Sequence, residues 1–250
     1  MKTRSSLCCT VGLVGGLVAG VVVLGAAPAQ ADIYVIESSV PEIKARSRLL
    51  GDDKINIPAG GSIRAVLASG KTQTIKGPYS GPVSDLDKGL SRNEGVLGWL
   101  RNILATGGST ESTPGATRSI NAPAKARTGF SWTVVPVTTK GNVCVQQGAK
   151  LMLARAPSVR AEQVTVTESA SAERGEVQFA SGSETAPWPT SVALRPDAAY
   201  TFQLPDRSRH QVTLRLVEQI PAEADILNEL YKLGCKDQFE AWVRGTLAQK

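Results

Sequence analysis

Two cysteines and one histidine set the limits on what chemistry this chain can do. Of four cysteines, Cys8 and Cys9 lie in a leading segment that reads as removable, which leaves Cys144 and Cys235. His210 is the single histidine. A catalytic thiol needs a neighbouring base, and only His210 offers one. Two thiolates and one imidazole fall short of a four-ligand zinc site. An even pair in an oxidising compartment reads instead as a disulfide, so a Cys144–Cys235 bond is expected, pinning C-terminal helices to a sheet. No cofactor is expected.

Other residue sets suggest chemistry and then lose it on spacing. Ala65-Val66-Leu67-Ala68-Ser69-Gly70-Lys71-Thr72 approaches a phosphate-binding loop, but Ala65 stands where the first glycine belongs. The stretch after Thr72 reads as strand, not as the helix whose N-terminus would face phosphate. Asp85 and Asp87 resemble the start of a calcium loop, yet Gly89 and Val96 occupy later ligand positions. They read as acids at a helix start. His210 lacks a Gly-x-Ser-x-Gly partner for hydrolysis and reads as part of a polar turn. Glu37, Glu42, Asp52 and Asp53 would serve a hydrolase only if two of them faced one cleft about 5–10 Å apart. Trp132 and Trp188 are the candidate glycan platform, with Trp188 held between Pro187 and Pro189. Trp99, Leu100 and Ile103 lie on an apolar helical stripe and are the candidate partner-binding residues.

The start of the chain supplies an address. Basic residues Lys2 and Arg4 precede an apolar run over 11–27, and Ala29-Gln30-Ala31 has the small-x-small pattern of a signal-peptidase site. Cleavage before Asp32 is expected, giving a periplasmic or secreted protein with no membrane span after cleavage. The formal charge is +6, and the removed segment would take Lys2 and Arg4 with it. The remaining excess is spread out and forms no basic stripe, so no nucleic-acid partner is expected.

The elements able to position these residues emerge from periodicity. Residues 32–83 read as a small β domain, with strands at 33–36, 54–57, 62–67 and 72–75 and a glycine hairpin at Ser69-Gly70. Residues 84–105 carry Leu86, Leu90, Leu97, Leu100 and Leu104 nearly on one helical face. Residues 106–128 are rich in Gly, Ser, Thr, Pro and Ala and read as a flexible linker. Seven strand-like runs within 129–220, several of them alternating apolar and polar, predict an antiparallel β-sandwich of immunoglobulin-like size. Residues 221–250 read as a helical pair, opened by Pro221 and divided at Gly234. The expected fold is mainly β: small β domain, helix, linker, sandwich, C-terminal helices.

Within 43–81, Ile43 to Leu50, Ile57-Pro58-Ala59-Gly60-Gly61-Ser62-Ile63-Arg64-Ala65-Val66-Leu67 and Ser69-Gly70-Lys71-Thr72-Gln73-Thr74-Ile75 resemble a FecR-type periplasmic β module. The resemblance implies a β fold and an envelope setting. It carries over no functional residue, and the transmembrane helix of a FecR regulator has no counterpart here. Together these features predict an exported, non-catalytic envelope binding or scaffold protein, with an envelope protein as partner and a membrane system as its setting. A glycan-binding module and a carboxylate-dependent hydrolase are the alternatives.

Overall fold

Alternation along the first strand explains the architecture. Strand β1 (Ile33–Ser38) is apolar over consecutive residues, which a strand buried on both faces requires. Ile33 and Val35 point into one core, while Tyr34 and Ile36 point into another. The computed structural model describes residues 32–105 and 129–248; the signal segment and the 106–128 linker expected from sequence lie outside them.

The N-terminal unit is a four-stranded antiparallel sheet ordered β2-β1-β4-β5. Its other strands are β2 (Arg48–Leu49), β4 (Ser62–Val66) and β5 (Thr72–Lys76). A two-stranded ribbon of β3 (Lys54–Ile57) and β6 (Tyr79–Pro82) closes over it. Ile33, Val35, Ile57, Ile63 and Leu67 fill the space between. The predicted hairpin joins β4 to β5, with Gly70 at φ +80°. A side chain at Gly70 would also meet Asn228, whose Oδ1 lies 2.4 Å from where a Cβ would stand. Both conformation and close approach therefore require glycine.

Residues 84–105 do not form one helix. A short 3-10 helix (Val83–Asp87) ends before Gly89, which takes φ +80°. Leu90 is then left exposed. Helix α1 (Glu94–Ala105) starts afresh, and Asn93 caps it by accepting the Val96 N–H at 3.2 Å.

The C-terminal unit contains β7 (Val134–Pro136), β8 (Gly141–Gln146), β9 (Met152–Ala154), β10 (Glu162–Glu168), β11 (Arg174–Phe179), β12 (Thr185–Pro187), β13 (Ala199–Gln203) and β14 (Arg209–Val217). A five-stranded sheet, β11-β10-β13-β14-β8, and a three-stranded sheet, β12-β9-β7, share one core. Most pairs are antiparallel as expected, but β14–β8 and β7–β9 run parallel. Helices α2 (Ile226–Lys232) and α3 (Lys236–Ala248) complete the unit. Gly234 at φ +73° separates them, and the Cys235 N–H returns to the Leu230 carbonyl at 2.8 Å, the six-to-one bond of a Schellman stop.

The two units meet on a third core. Val96, Leu97 and Leu100 of α1, Leu227 and Leu230 of α2, and Phe239 of α3 pack there. Tyr34 and Ile36 enter from the first sheet, and Cys144 enters from β8. The three helices thus form a layer between two β units. Each neighbouring strand gives one face to its own core and the other to this layer. No helix among the described residues is long and apolar enough to cross a membrane.

Cys144 and Cys235 form the expected disulfide, with Cα atoms 5.9 Å apart. It fastens the α2–α3 corner to β8. Gln238 continues the attachment: its Oε1 accepts the Cys144 N–H at 2.6 Å, and its Nε2 donates to the Cys144 carbonyl at 2.7 Å. The amide thereby acts as a ladder partner for β8, leaving no buried backbone group of Cys144 unpaired.

Candidate functional site

A register shift in β1 between Val35 and Glu37 kinks that strand against β4. Bulges of this kind re-aim side chains and occur near sites. Beside the kink lies a groove of about 530 Å³, lined by residues including Ile36, Glu37, Arg46, Arg64, Thr74 and Leu247. It is assembled from β1, the loop after it, β4, β5 and the end of α3, so both units contribute.

Each charged group in the groove has a definite setting. Arg46 sits at φ +64°, with its N–H donating to the Val35 carbonyl at 2.8 Å. Its Nη2 donates to the Leu247 carbonyl at 3.3 Å. Arg64 pairs with Glu223 and lies 5.6 Å from the centre of the Trp242 ring. Glu37 stands opposite Arg64 in register. Among the described residues, Glu37 and Arg46 form no ion pair, whereas Arg64 does. Two groove hydroxyls are committed to the backbone: Ser39 Oγ accepts the Ser62 N–H at 2.9 Å, and Ser38 Oγ donates to the Val40 carbonyl at 3.0 Å.

The residues singled out from sequence are scattered over the molecule. Glu37 alone of the four candidate acids lines the groove. Asp53 accepts the Leu50 N–H at 2.7 Å and serves a turn, while Glu42 and Asp52 are exposed on loops. Among the described residues, the groove lining holds no second acid beside Glu37. Trp132 and Trp188 are buried, at 8% and 9% exposure, so neither ring offers a stacking platform. Trp188 packs edge-on to Tyr200 and donates from Nε1 to the Val192 carbonyl at 2.8 Å.

The partner-binding stripe is likewise covered from within the chain. Leu100 and Ile103 are buried in the shared core, and the partly buried Trp99 meets Tyr231 and Phe239 edge-on. The helical face is apolar because α2 and α3 cover it.

The phosphate-loop and calcium-loop look-alikes turn out to be parts of one internal contact. The Ser69 N–H donates to Asp87 Oδ2 at 2.8 Å, so the hairpin already holds an anion of its own chain. Asp85 pairs with Lys88 at 2.9 Å. His210 lies on β14, where burial, then the nearby Lys140, hold its pKa below the usual histidine range. Among the described residues, no group of three or more His, Cys, Asp or Glu gathers for a metal.

One carboxylate is strongly perturbed, and its role is structural. Glu168 is buried and accepts the N–H groups of Ala170 and Ser171 at 2.9 and 2.6 Å. Hydrogen bonding from the Ser171 side chain, reinforced by these two N–H groups, lowers its pKa from 4.5 to about 2. A depressed folded-state pKa gives stability that is present above the unfolded value and lost as pH falls through the folded one. Glu168 should therefore stabilise the turn above about pH 4.5 and lose that contribution progressively toward pH 2. Glu168→Gln should flatten the acid limb of the stability curve. Parallel curves for variant and wild type across that window would refute the assignment.

Arg46, Arg64 and Leu247 carry no mark in the sequence. They come from distant segments and belong to no motif; only the positive φ at Arg46 and the bulge betray the site, and both are properties of the folded backbone. Comparison of the chain with protein-family models, curated proteins and solved structures finds no match.

Proposed function

We propose that this chain is an exported, non-catalytic binding or scaffold protein of the cell envelope, acting as the periplasmic partner of a membrane system. The observation that carries the reading is the groove at the junction of the two units, with charged groups at its rim and no second acid beside Glu37. Such a concavity binds and orients. The buried Cys144–Cys235 disulfide supports an oxidising compartment. The signal-like start and the FecR-like character of 43–81 support the same address.

The test is site-specific photocrosslinking in living cells. A crosslinker at Thr74, exposed in the groove lining, should capture a defined envelope protein. One at Val159, which is 87% exposed on the C-terminal unit, serves as control. Capture from Thr74 alone supports the reading. No capture, or the same captured proteins from both positions, sinks it. N-terminal sequencing of the exported protein should begin at Asp32.

A further inference from the structure

We infer that the groove takes a small zwitterion, specifically a short peptide with free ends, placing its ammonium at Glu37 and its carboxylate at Arg46. This assignment rests on the binding reading above and names the ligand chemistry of the same site. Two sets of opposite charges in and around the groove differ in kind. Arg64 and Glu223 reach each other, and Arg64 is further engaged by the Trp242 ring. Glu37 and Arg46 line the same groove without forming an ion pair. One acid and one guanidinium therefore face a common space with their charges uncompensated by each other.

The surroundings favour a ligand that carries both charges over a simple anion. With Arg64 matched by Glu223, the remaining charges among the described lining residues are Glu37, opposite Arg64 in register, and Arg46, so an anion would gain Arg46 but meet Glu37. A cation would meet the converse problem. A molecule bearing both termini satisfies each side, and a guanidinium suits a carboxylate through its fork of donors. Ile36 and Leu247 supply apolar wall for a small side chain. The volume of about 530 Å³ falls in the range of small-ligand sites. Arg46 is also positioned: its backbone is tied to Val35 and its Nη2 to Leu247. Its backbone takes φ +64°, a conformation that non-glycine residues seldom adopt.

The experiment is an NMR titration of the purified chain with trialanine, N-acetyl-trialanine and trialanine amide. Trialanine should give saturable shifts at groove residues such as Ile36, Arg46 and Thr74, with a Kd on the order of 1 mM or below. Blocking either terminus should weaken binding by about tenfold, the ratio that corresponds to about 1.4 kcal/mol. Glu37→Gln should abolish the penalty for acetylation while preserving the penalty for amidation. Arg46→Gln should do the reverse. Amide signals outside the groove report whether each variant keeps its fold, and a variant that loses them is replaced by Glu37→Asp or Arg46→Lys, which should shift the same penalty in the same direction.

Absence of saturable groove shifts, equal affinity for blocked and free peptides, or unaltered discrimination in both variants would overturn the assignment. If groove-specific crosslinking from Thr74 persists in that case, only the ligand class falls. Loss of both results removes the binding reading itself.

Discussion

Replacing Cys144 and Cys235 together by alanine should lower the unfolding free energy by roughly 2–5 kcal/mol. The bond spans 91 residues of sequence. Chain entropy alone gives roughly 4–5 kcal/mol for a loop of that size, with residual structure in the unfolded chain reducing the yield. Alanine is the better replacement, since serine would bury a hydroxyl where both sulfurs are fully covered. Urea unfolding of the oxidised protein and the double variant measures the difference directly. A gap below about 1 kcal/mol would contradict the cross-link as a main support of the fold. Because both sulfurs are inaccessible, reduction by dithiothreitol should proceed no faster than unfolding.

Leu100→Ala should have an effect of similar size. Leu100 is completely buried where α1 meets the C-terminal helices. Truncations of this kind cost about 2.7–5 kcal/mol, depending on how far the site collapses. More telling than the magnitude is where the loss appears. The core that Leu100 fills is shared by Tyr34 of the first sheet and Cys144 of the sandwich. Hydrogen exchange should therefore quicken in both units, at Ile63 and Phe202 alike. Acceleration confined to one unit would show that the helical layer does not couple them.

Much of this architecture is legible in the residues, and the exceptions share a cause. Alternation marks β3, β10, β11 and β13, where every second residue is buried over most of the strand, and parts of β4 and β14. Pro221 and Gly234 mark the opening and division of the C-terminal helices. Strands β2, β6 and β12 escape a reading by pattern because they are two to four residues long and contain Gly or Pro or lack an apolar pair. The helical stripe over 84–105 extends too far toward its start on paper, since Leu86 and Leu90 fit the period while Gly89 breaks the backbone between them. Parallel pairing of β8 with β14 leaves no local mark, as it depends on which edge the chain returns to. The buried tryptophans illustrate the same limit: an aromatic ring looks alike on paper whether it faces ligand or core. The groove is illegible because separated segments of both units build it.

The shared helical core also imposes a timetable on the newborn chain. Residues 32–83 can gather their own apolar side chains as soon as they are made, since Ile33, Val35 and Ile63 pack with one another. Helix α1 finds only part of its core at that stage, at Tyr34, Ile36 and Val66 of the first sheet. Its partners Phe239 and Val243 lie near the far end of the chain. At usual rates of protein synthesis, roughly 7–28 s separate Leu100 from those partners. Through that interval Leu97 and Leu100 lack the side of their core that α2 and α3 supply, so part of the shared apolar surface stays uncovered until the last residues arrive.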